Sequence, residues 1–293
     1  MKPASFEYRA PEQLDELLEL LADDFLDARV IAGGQSLVPM MNFRLSAPEL
    51  LLDLRRVEQL GSLDVRPDGS LAVGATVTQA RLLAWLEADG RWPVLAEGIR
   101  HIGHPQIRSR GTVCGSLCHH DPTAELPALA LALGATMHVA GAAGRRAVAA
   151  ADFSVSYYEV ALEPGELLTE VVFPAWPAAR GWGFRELARR RGDFALAGAV
   201  ATVDRDPSGS AAAAVGLVLF GVGDRPVRIE AAERALAGRA LDAAALEEVR
   251  ALVPAQIDPV DDLHASAEHR REVAAELAAG ALADAWERSS ADV

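Results

Sequence analysis

The segment VIAGGQSLVPMMNFR, Val30 to Arg44, constrains the chain more than any other stretch. Arg29 to Ala32 reads as a strand, and it breaks on two adjacent glycines, Gly33 and Gly34. Glycine lacks a Cβ, so the backbone there can turn sharply and come close to another group. Gln35-Ser36 then runs into Leu37-Val38-Pro39-Met40-Met41, the beginning of a helical turn. A strand that ends in small residues before a helix leaves backbone N–H groups free to point at an anion. A glycine turn with no ligand looks the same in sequence. The stretch does not have the spacing of the dinucleotide signature GxGxxG, and it is not a P-loop, because no GxxxxGK(S/T) exists in a chain whose only lysine is Lys2.

Around this segment the chain reads as an α+β protein. A short strand over Phe6–Tyr8 precedes an amphipathic helix carrying Leu14, Leu17, Leu18 and Leu21 at helical spacing after Pro11. Leu50 to Leu54 is the next strand, and SLDVRPDGSLAVGA alternates about Asp68-Gly69 as a hairpin. Helices are expected from Thr78, over Pro93 to Ile102, and over Leu126 to Leu133. Between the last two lies GHPQIRSRGTVCGSLCHHDPTAEL, read as one long polar loop, and loops of that length inside a domain are usually functional. Strands follow at Thr136–Ala140 and Leu167–Phe173.

PAWPAARG, Pro174 to Gly181, reads as a joint between two domains. Beyond it come three strands, Gly183–Leu187, Ala195–Val203 and Ala213–Gly221, and then three Ala/Leu/Glu-rich helices over Glu230–Ala237, Ala243–Leu252 and Ala267–Trp286.

Composition excludes several function classes. At 293 residues and 51% hydrophobic the chain can bury the core of two domains. A net charge of −14 argues against nucleic acid or an anionic membrane as partner. No apolar run reaches the roughly 18 residues of a membrane span and the N-terminus has no signal-peptide core, so a cytoplasmic location is expected. Two cysteines, Cys114 and Cys118, are too few for a disulfide framework or an iron–sulfur cluster within one chain.

The long loop carries a second set of small residues, Gly111-Thr112-Val113-Cys114-Gly115-Ser116, followed by Asp121 in front of an apolar helix. Two such loops could grip the two ends of one long cofactor, with Asp121 accepting from ribose hydroxyls. AGGQSLVPMMNFRL, PQIRSRGTVCGSLCHHDPTAELPAL, ALEPGELLTEVVFP and FRELARRRGDFALAGAV together resemble the FAD-binding medium subunit of molybdenum hydroxylases. That family includes carbon monoxide dehydrogenase medium chains and the flavin domain of xanthine dehydrogenase, and the resemblance spans about residues 1 to 288.

The resemblance implies a p-cresol methylhydroxylase-type FAD-binding domain over 1–176, in two α+β subdomains (about 1–57 and 58–176). A smaller domain over 177–288 would hold a three-stranded antiparallel sheet and a helical bundle. Ala32, Gly33, Gly34, Gln35 and Ser36 would form a first pyrophosphate loop flanked by Val30, Ile31 and Leu37. Thr112, Val113, Cys114, Gly115 and Ser116 would form a second. Asp121 would bind the ribose or adenosine part. Ile102 and Leu168 would lie against the cofactor, and Arg185 and Phe194 near the flavin. Cys114 stands where many members have glycine, which is tolerable only if the position does not need a positive φ.

The implied activity is that of an FAD-carrying electron-transfer subunit in a dimer of heterotrimers. A large subunit would hold the molybdenum cofactor, and a small subunit two [2Fe-2S] clusters. A self-sufficient flavin oxidoreductase and a flavin-free scaffold subunit are the alternatives. No nucleophile, general base or catalytic residue is assigned to this chain, as befits a protein whose cofactor does the redox chemistry.

His101, His104, His119 and His120 with Asp121 invite a metal reading, but adjacent residues do not normally face one ion, and loop hydrogen bonding is the expected role. Cys114 and Cys118 lack the C-x-x-C redox spacing and are expected to be packed thiols. Arg189, Arg190 and Arg191 read as a solvated turn or as groups meeting phosphates or a partner.

Overall fold

The computed structural model describes residues 2–23 and 25–290. Three short parallel strands open the fold, β1 (Glu7–Arg9), β2 (Ala28–Ile31) and β3 (Leu50–Asp53), in the order β1-β3-β2. All four residues of β3, Leu-Leu-Leu-Asp, are buried, as a central parallel strand requires. Three buried leucines at about 1.5–3 kcal/mol each offset a backbone ordering cost of about 1–2 kcal/mol per residue, which is why so short a strand can organise the sheet. Helix α1 (Leu14–Leu21) turns Leu14 and Leu17 inward, and α2 (Leu37–Asn42) follows the glycines after β2.

β4 (Leu63–Val65) and β5 (Leu71–Gly74) pair as the hairpin read about Asp68-Gly69. Five helices follow, α3 (Gln79–Asp89), α4 (Pro93–His101), α5 (Pro105–Arg108), α6 (Val113–His119) and α7 (Glu125–Ala132). The stretch read as one loop therefore contains α5 and α6. Pro105 opens α5 at its first turn, and the Thr112 hydroxyl accepts from the Gly115 N–H to cap α6. Val113 and Leu117, four residues apart, bury the inner face of α6. Its glycine and serine content hid this helix.

β6 (Thr136–Gly141) and β7 (Gly144–Ala149) come next, then α8 (Ala150–Phe153) and a small ribbon of β8 (Ser154–Ser156) and β9 (Glu159–Val160). β10 (Leu167–Phe173) completes an antiparallel sheet of order β4-β5-β10-β6-β7. β7 was not anticipated because GRRAVA is an edge strand, with one buried residue and no alternation of apolar side chains. The buried Trp92 donates from Nε1 to the Pro174 carbonyl at 2.8 Å, tying the α3–α4 corner to the end of β10.

β11 (Gly181–Ala188), β12 (Ala195–Arg205) and β13 (Ala212–Phe220) are the three antiparallel strands anticipated, extended by the two-residue β14 (Val227–Arg228). The helices α9 (Glu230–Leu236), α10 (Ala243–Leu252) and α11 (Ala267–Arg288) follow. Side-chain alternation along β12 sends Ala197, Ala199, Ala201 and Val203 toward α11, and Val200 toward the N-terminal core. Ala274, Ala278, Ala281 and Ala285 form the facing stripe of α11, so small side chains on both surfaces bring helix and sheet together. On the other face, Phe184, Val218 and Phe220 share one core with α4 and α7, which joins the two halves of the chain. No helix among the described residues is long and apolar enough to cross a membrane.

Candidate functional site

A cleft of about 1300 Å³ runs from β2 and its glycine loop past α6 to the start of β10 and the β11–β12 turn. Pockets for drug-sized ligands occupy roughly 300–1,000 Å³, so this one admits a larger group. A second hollow of about 480 Å³, lined by Tyr8, Ala10, Asp53, Arg55 and Arg56, has its polar groups already engaged. Tyr8 donates to Asp53 at 2.7 Å and Arg55 at 2.6 Å.

Gly34 has φ +74°, the left-handed turn that redirects the chain from β2 into α2. Gly33 has no such φ, but a Cβ there would lie 2.2 Å from the Arg110 carbonyl oxygen and 2.8 Å from the Gly111 Cα. What Gly33 approaches is thus the backbone of the second loop. The second loop is held in turn by α3, because Gln79 donates its N–H to the Gly111 carbonyl at 2.8 Å and Val113 donates to Val77 at 3.1 Å.

Among the described residues, the backbone N–H groups of Gly33, Gly34, Gln35 and Ser36 have no acceptor within the chain, and all four residues line the cleft. The Cys114 N–H, across from them at the start of α6, is also without an acceptor. Buried backbone N–H groups are nearly always paired, so a consecutive run of unpaired ones facing one cleft forms a nest for an anion. Cys114 lies within α6 and has no positive φ, which removes the objection to a side chain there.

Every anticipated site residue except Val113 and Arg185 lines this cleft: Val30, Ile31, Ala32, Gly33, Gly34, Gln35, Ser36, Leu37, Ile102, Thr112, Cys114, Gly115, Ser116, Asp121, Leu168 and Phe194. Val113 is fully buried behind the wall, in the core. Arg185 stands away from it on β11, where its guanidinium grips both oxygens of Asp284 at 2.8 Å. Asp121 is buried, and its Oδ1 accepts from the N–H and hydroxyl of Thr123 at 2.9 and 2.6 Å. Its Oδ2 accepts from the Tyr158 hydroxyl at 3.0 Å and keeps capacity for one more donor. Phe194 is 65% exposed on the rim.

The four histidines have separate local tasks. His120, at φ +49°, meets the Ser156 carbonyl and the Ser154 hydroxyl at 3.0 and 2.6 Å, tying α6 to the β8–β9 ribbon. His119 packs against Tyr158 and His101 against Phe184 with their rings tilted, and His104 precedes α5. No group of three metal-ligating side chains occurs among the described residues. Burial pushes the Cys118 thiol up to about 12 and the Cys114 thiol well above its usual range, so both stay protonated. Arg189, Arg190 and Arg191 are exposed in the β11–β12 turn, with Arg189 3.7 Å from Asp193.

Sequence reasoning missed three side chains. Glu125 is 5% exposed at the first turn of α7 and lines the cleft. Burial, aided by the nearby Glu186, pushes its carboxyl up to about 8. Glu186 on β11, pushed up to about 7 by burial, has an Oε2 with no partner, while His101 Nδ1 lies 3.7 Å from it. The third is Gln79, 4% exposed, whose Oε1 also lacks a partner. A carboxylate opening an otherwise wholly apolar helix was the available signal for Glu125. Gln79 offered none. The run of free N–H groups can therefore hold an anion, while the Glu125 carboxyl in the same cleft is held toward its protonated form by burial.

Comparison with known proteins follows the same lines. Residues 4–176 match the family described as the FAD binding domain in molybdopterin dehydrogenase, and residues 182–285 match the CO dehydrogenase flavoprotein C-terminal domain. The chain is 38% identical to the 6-hydroxypseudooxynicotine dehydrogenase complex subunit alpha of Paenarthrobacter nicotinovorans, covering 99% of this chain and 97% of that one. It is 34% identical to the carbon monoxide dehydrogenase medium chain of Hydrogenophaga pseudoflava, over 98% and 99% of the two chains. The solved carbon monoxide dehydrogenase of that organism superposes with a TM-score of 0.94 at 34% identity, covering 99% of this chain and 100% of that one. Quinoline 2-oxidoreductase of Pseudomonas putida 86 superposes with a TM-score of 0.92 at 39% identity, covering 98% and 99%.

Proposed function

The chain belongs to the family of FAD-binding medium subunits of carbon monoxide dehydrogenase-type molybdenum hydroxylases, and from that premise we propose that it is the electron-relaying flavin subunit of such a complex. FAD is held in the cleft, electrons arrive from the [2Fe-2S] clusters of a small partner subunit, and they leave to an external acceptor. A large partner subunit carries the molybdenum cofactor and the substrate chemistry. The assembly is a dimer of heterotrimers in the cytoplasm.

The observation that carries this reading is the run of unpaired N–H groups from Gly33 to Ser36 facing the Cys114 N–H. Those donors hold the diphosphate, with Ala32, Thr112, Gly115 and Ser116 as the surrounding wall and Val30, Ile31 and Leu37 as its apolar flank. Ile102, Leu168 and Phe194 lie against the ring system, and Asp121 offers its remaining acceptor capacity to a ribose hydroxyl. Arg185 is left out of the site, because Asp284 already occupies its guanidinium. When bound, FAD supplies the reversible redox chemistry, and the protein binds, orients and shields it. The proposed organisation is a flavin domain over 1–176, divided near 57, followed by a C-terminal domain over 177–288.

Two cysteines, Cys114 buried and Cys118 half-buried, both with thiols raised by burial, cannot ligate two clusters, which supports placing the iron–sulfur centres on a partner. The test mixes the FAD-loaded chain, without oxygen, with a chemically reduced [2Fe-2S] small subunit of a complex of this family. Bleaching of the flavin band on mixing is expected. Bleaching by NAD(P)H or a small substrate alone, with none from the iron–sulfur subunit, would replace this reading with that of a self-sufficient oxidoreductase.

A further inference from the structure

The carboxamide of Gln79 is the unexplained polar group of the cleft. Gln79 opens α3 directly after the Thr78 cap and is 4% exposed. Its Oε1 is closed off from solvent and has no hydrogen-bond partner among the described residues. An unpaired buried acceptor is costly and needs a reason. The position supplies one. Gln79 and Gly111 both line the cleft, and Oε1 lies 3.0 Å from where a Gly111 Cβ would stand. Gly111 is also the residue whose Cα meets Gly33, so the carboxamide sits at the seam between the two glycine loops.

We propose that Gln79 is a binding residue for the diphosphate–polyol stretch of the cofactor, a role that rests on the FAD reading above. On binding, the carboxamide, whose Oε1 is turned away from the open cleft in the unliganded chain, swings so that Nε2 donates to a phosphate oxygen and Oε1 accepts from a neighbouring sugar or ribityl hydroxyl. A carboxamide suits that task because it presents donors and acceptors on one flat group without adding charge. Phosphate oxygens have no proton to give, so the orphaned Oε1 calls for the hydroxyl, while the anion calls for Nε2. A carboxylate in this place would repel the diphosphate. An apolar side chain would leave the unliganded fold no worse off, since it removes an unsatisfied acceptor.

The experiment compares wild type, Gln79→Met and Gln79→Glu by calorimetric titration of the flavin-stripped full chain with FAD and with ADP, alongside thermal unfolding of each unliganded chain. ADP carries a diphosphate and an adjoining ribose but no flavin. Gln79→Met is expected to weaken FAD and ADP alike, by roughly tenfold or more, the ratio one hydrogen bond to a charged group is worth. Its unliganded unfolding temperature should stay level or rise. Gln79→Glu, similar in shape, should weaken both ligands further.

Unchanged affinities in the variants, with wild type binding FAD, would overturn the proposal and leave Oε1 to a buried water. Loss of FAD affinity with ADP unaffected would overturn the diphosphate assignment. A fall in the unliganded unfolding temperature of Gln79→Met would make the role structural and also overturn it. Wild type that takes up neither ligand would instead remove the FAD reading on which the inference stands.

Discussion

Gly33→Ala isolates the contact that shapes the cleft. Gly33 does not have a positive φ, so alanine meets no conformational penalty there, and the only obstacle is space. The added Cβ would lie 2.2 Å from the Arg110 oxygen, 2.8 Å from the Gly111 Cα and 2.9 Å from the Arg110 carbonyl carbon, all backbone atoms. An ordinary contact begins near 3.4 Å, so the two loops must separate by about 1 Å. Overpacking of this kind costs about 1–3 kcal/mol of stability. A shift of that size takes the N–H groups of Gly33 to Ser36 out of register with the donor at Cys114, and charge-assisted hydrogen bonds are worth about 1.5–3 kcal/mol each. Losing the equivalent of one or two weakens FAD by about a hundredfold, or ~2.7 kcal/mol. Calorimetric titration with FAD and thermal unfolding of the unliganded chain read the two effects separately. An alanine variant with wild-type affinity and unfolding temperature would refute the claim that loop contact at Gly33 sets the geometry of the site.

Three further outcomes follow from particular side chains. Because the Glu125 carboxyl is raised from 4.5 to about 8, the neutral acid is favoured in the fold. Its stabilising effect is complete below about pH 4.5 and is lost as pH rises through about 8. Glu125→Gln should therefore flatten the pH dependence of unfolding across that window and, at pH 9, exceed wild type by an amount on the order of a few kcal/mol in chemical denaturation. Thr112→Ala removes the cap on the Gly115 N–H and should lower stability by about 1 kcal/mol, measured by urea unfolding, with weaker FAD retention on dialysis. Arg185→Ala breaks a half-exposed ion pair with Asp284 and should change stability by less than about 1 kcal/mol while leaving FAD affinity at the wild-type value in the same titration.

The parts of this site that were legible in sequence are those encoded locally. A strand ending in Gly33-Gly34 announces itself because only glycine tolerates both a left-handed turn and a backbone contact closer than a Cβ allows. The hairpin about Asp68-Gly69 and the alanine-lined α11 are legible for similar reasons of turn chemistry and period. Helix α6 was missed because its polar and glycine-rich surface faces the cleft, leaving only Val113, Cys114 and Leu117 to mark a buried side. β7 was missed because an exposed edge strand has no apolar pattern to show.

Gln79, Glu125 and Glu186 owe their character to burial by distant segments. No local pattern reports burial. Arg185 was assigned to the flavin by its position in a resemblance, and its partner Asp284 lies 99 residues further along the chain, beyond any local motif. Gly33 was correctly singled out for close backbone approach, and the structure adds the object approached, the Arg110–Gly111 backbone of the second loop.

The measurement that bears most directly on the account is the visible absorption spectrum of the chain purified alone, with identification of any flavin released on denaturation. The account predicts a yellow protein that releases FAD in a ratio near one per chain, or a colourless one that takes up added FAD to that ratio. A chain that is colourless and stays so in excess FAD would contradict it and leave the two glycine loops as ordinary turns in a scaffold subunit.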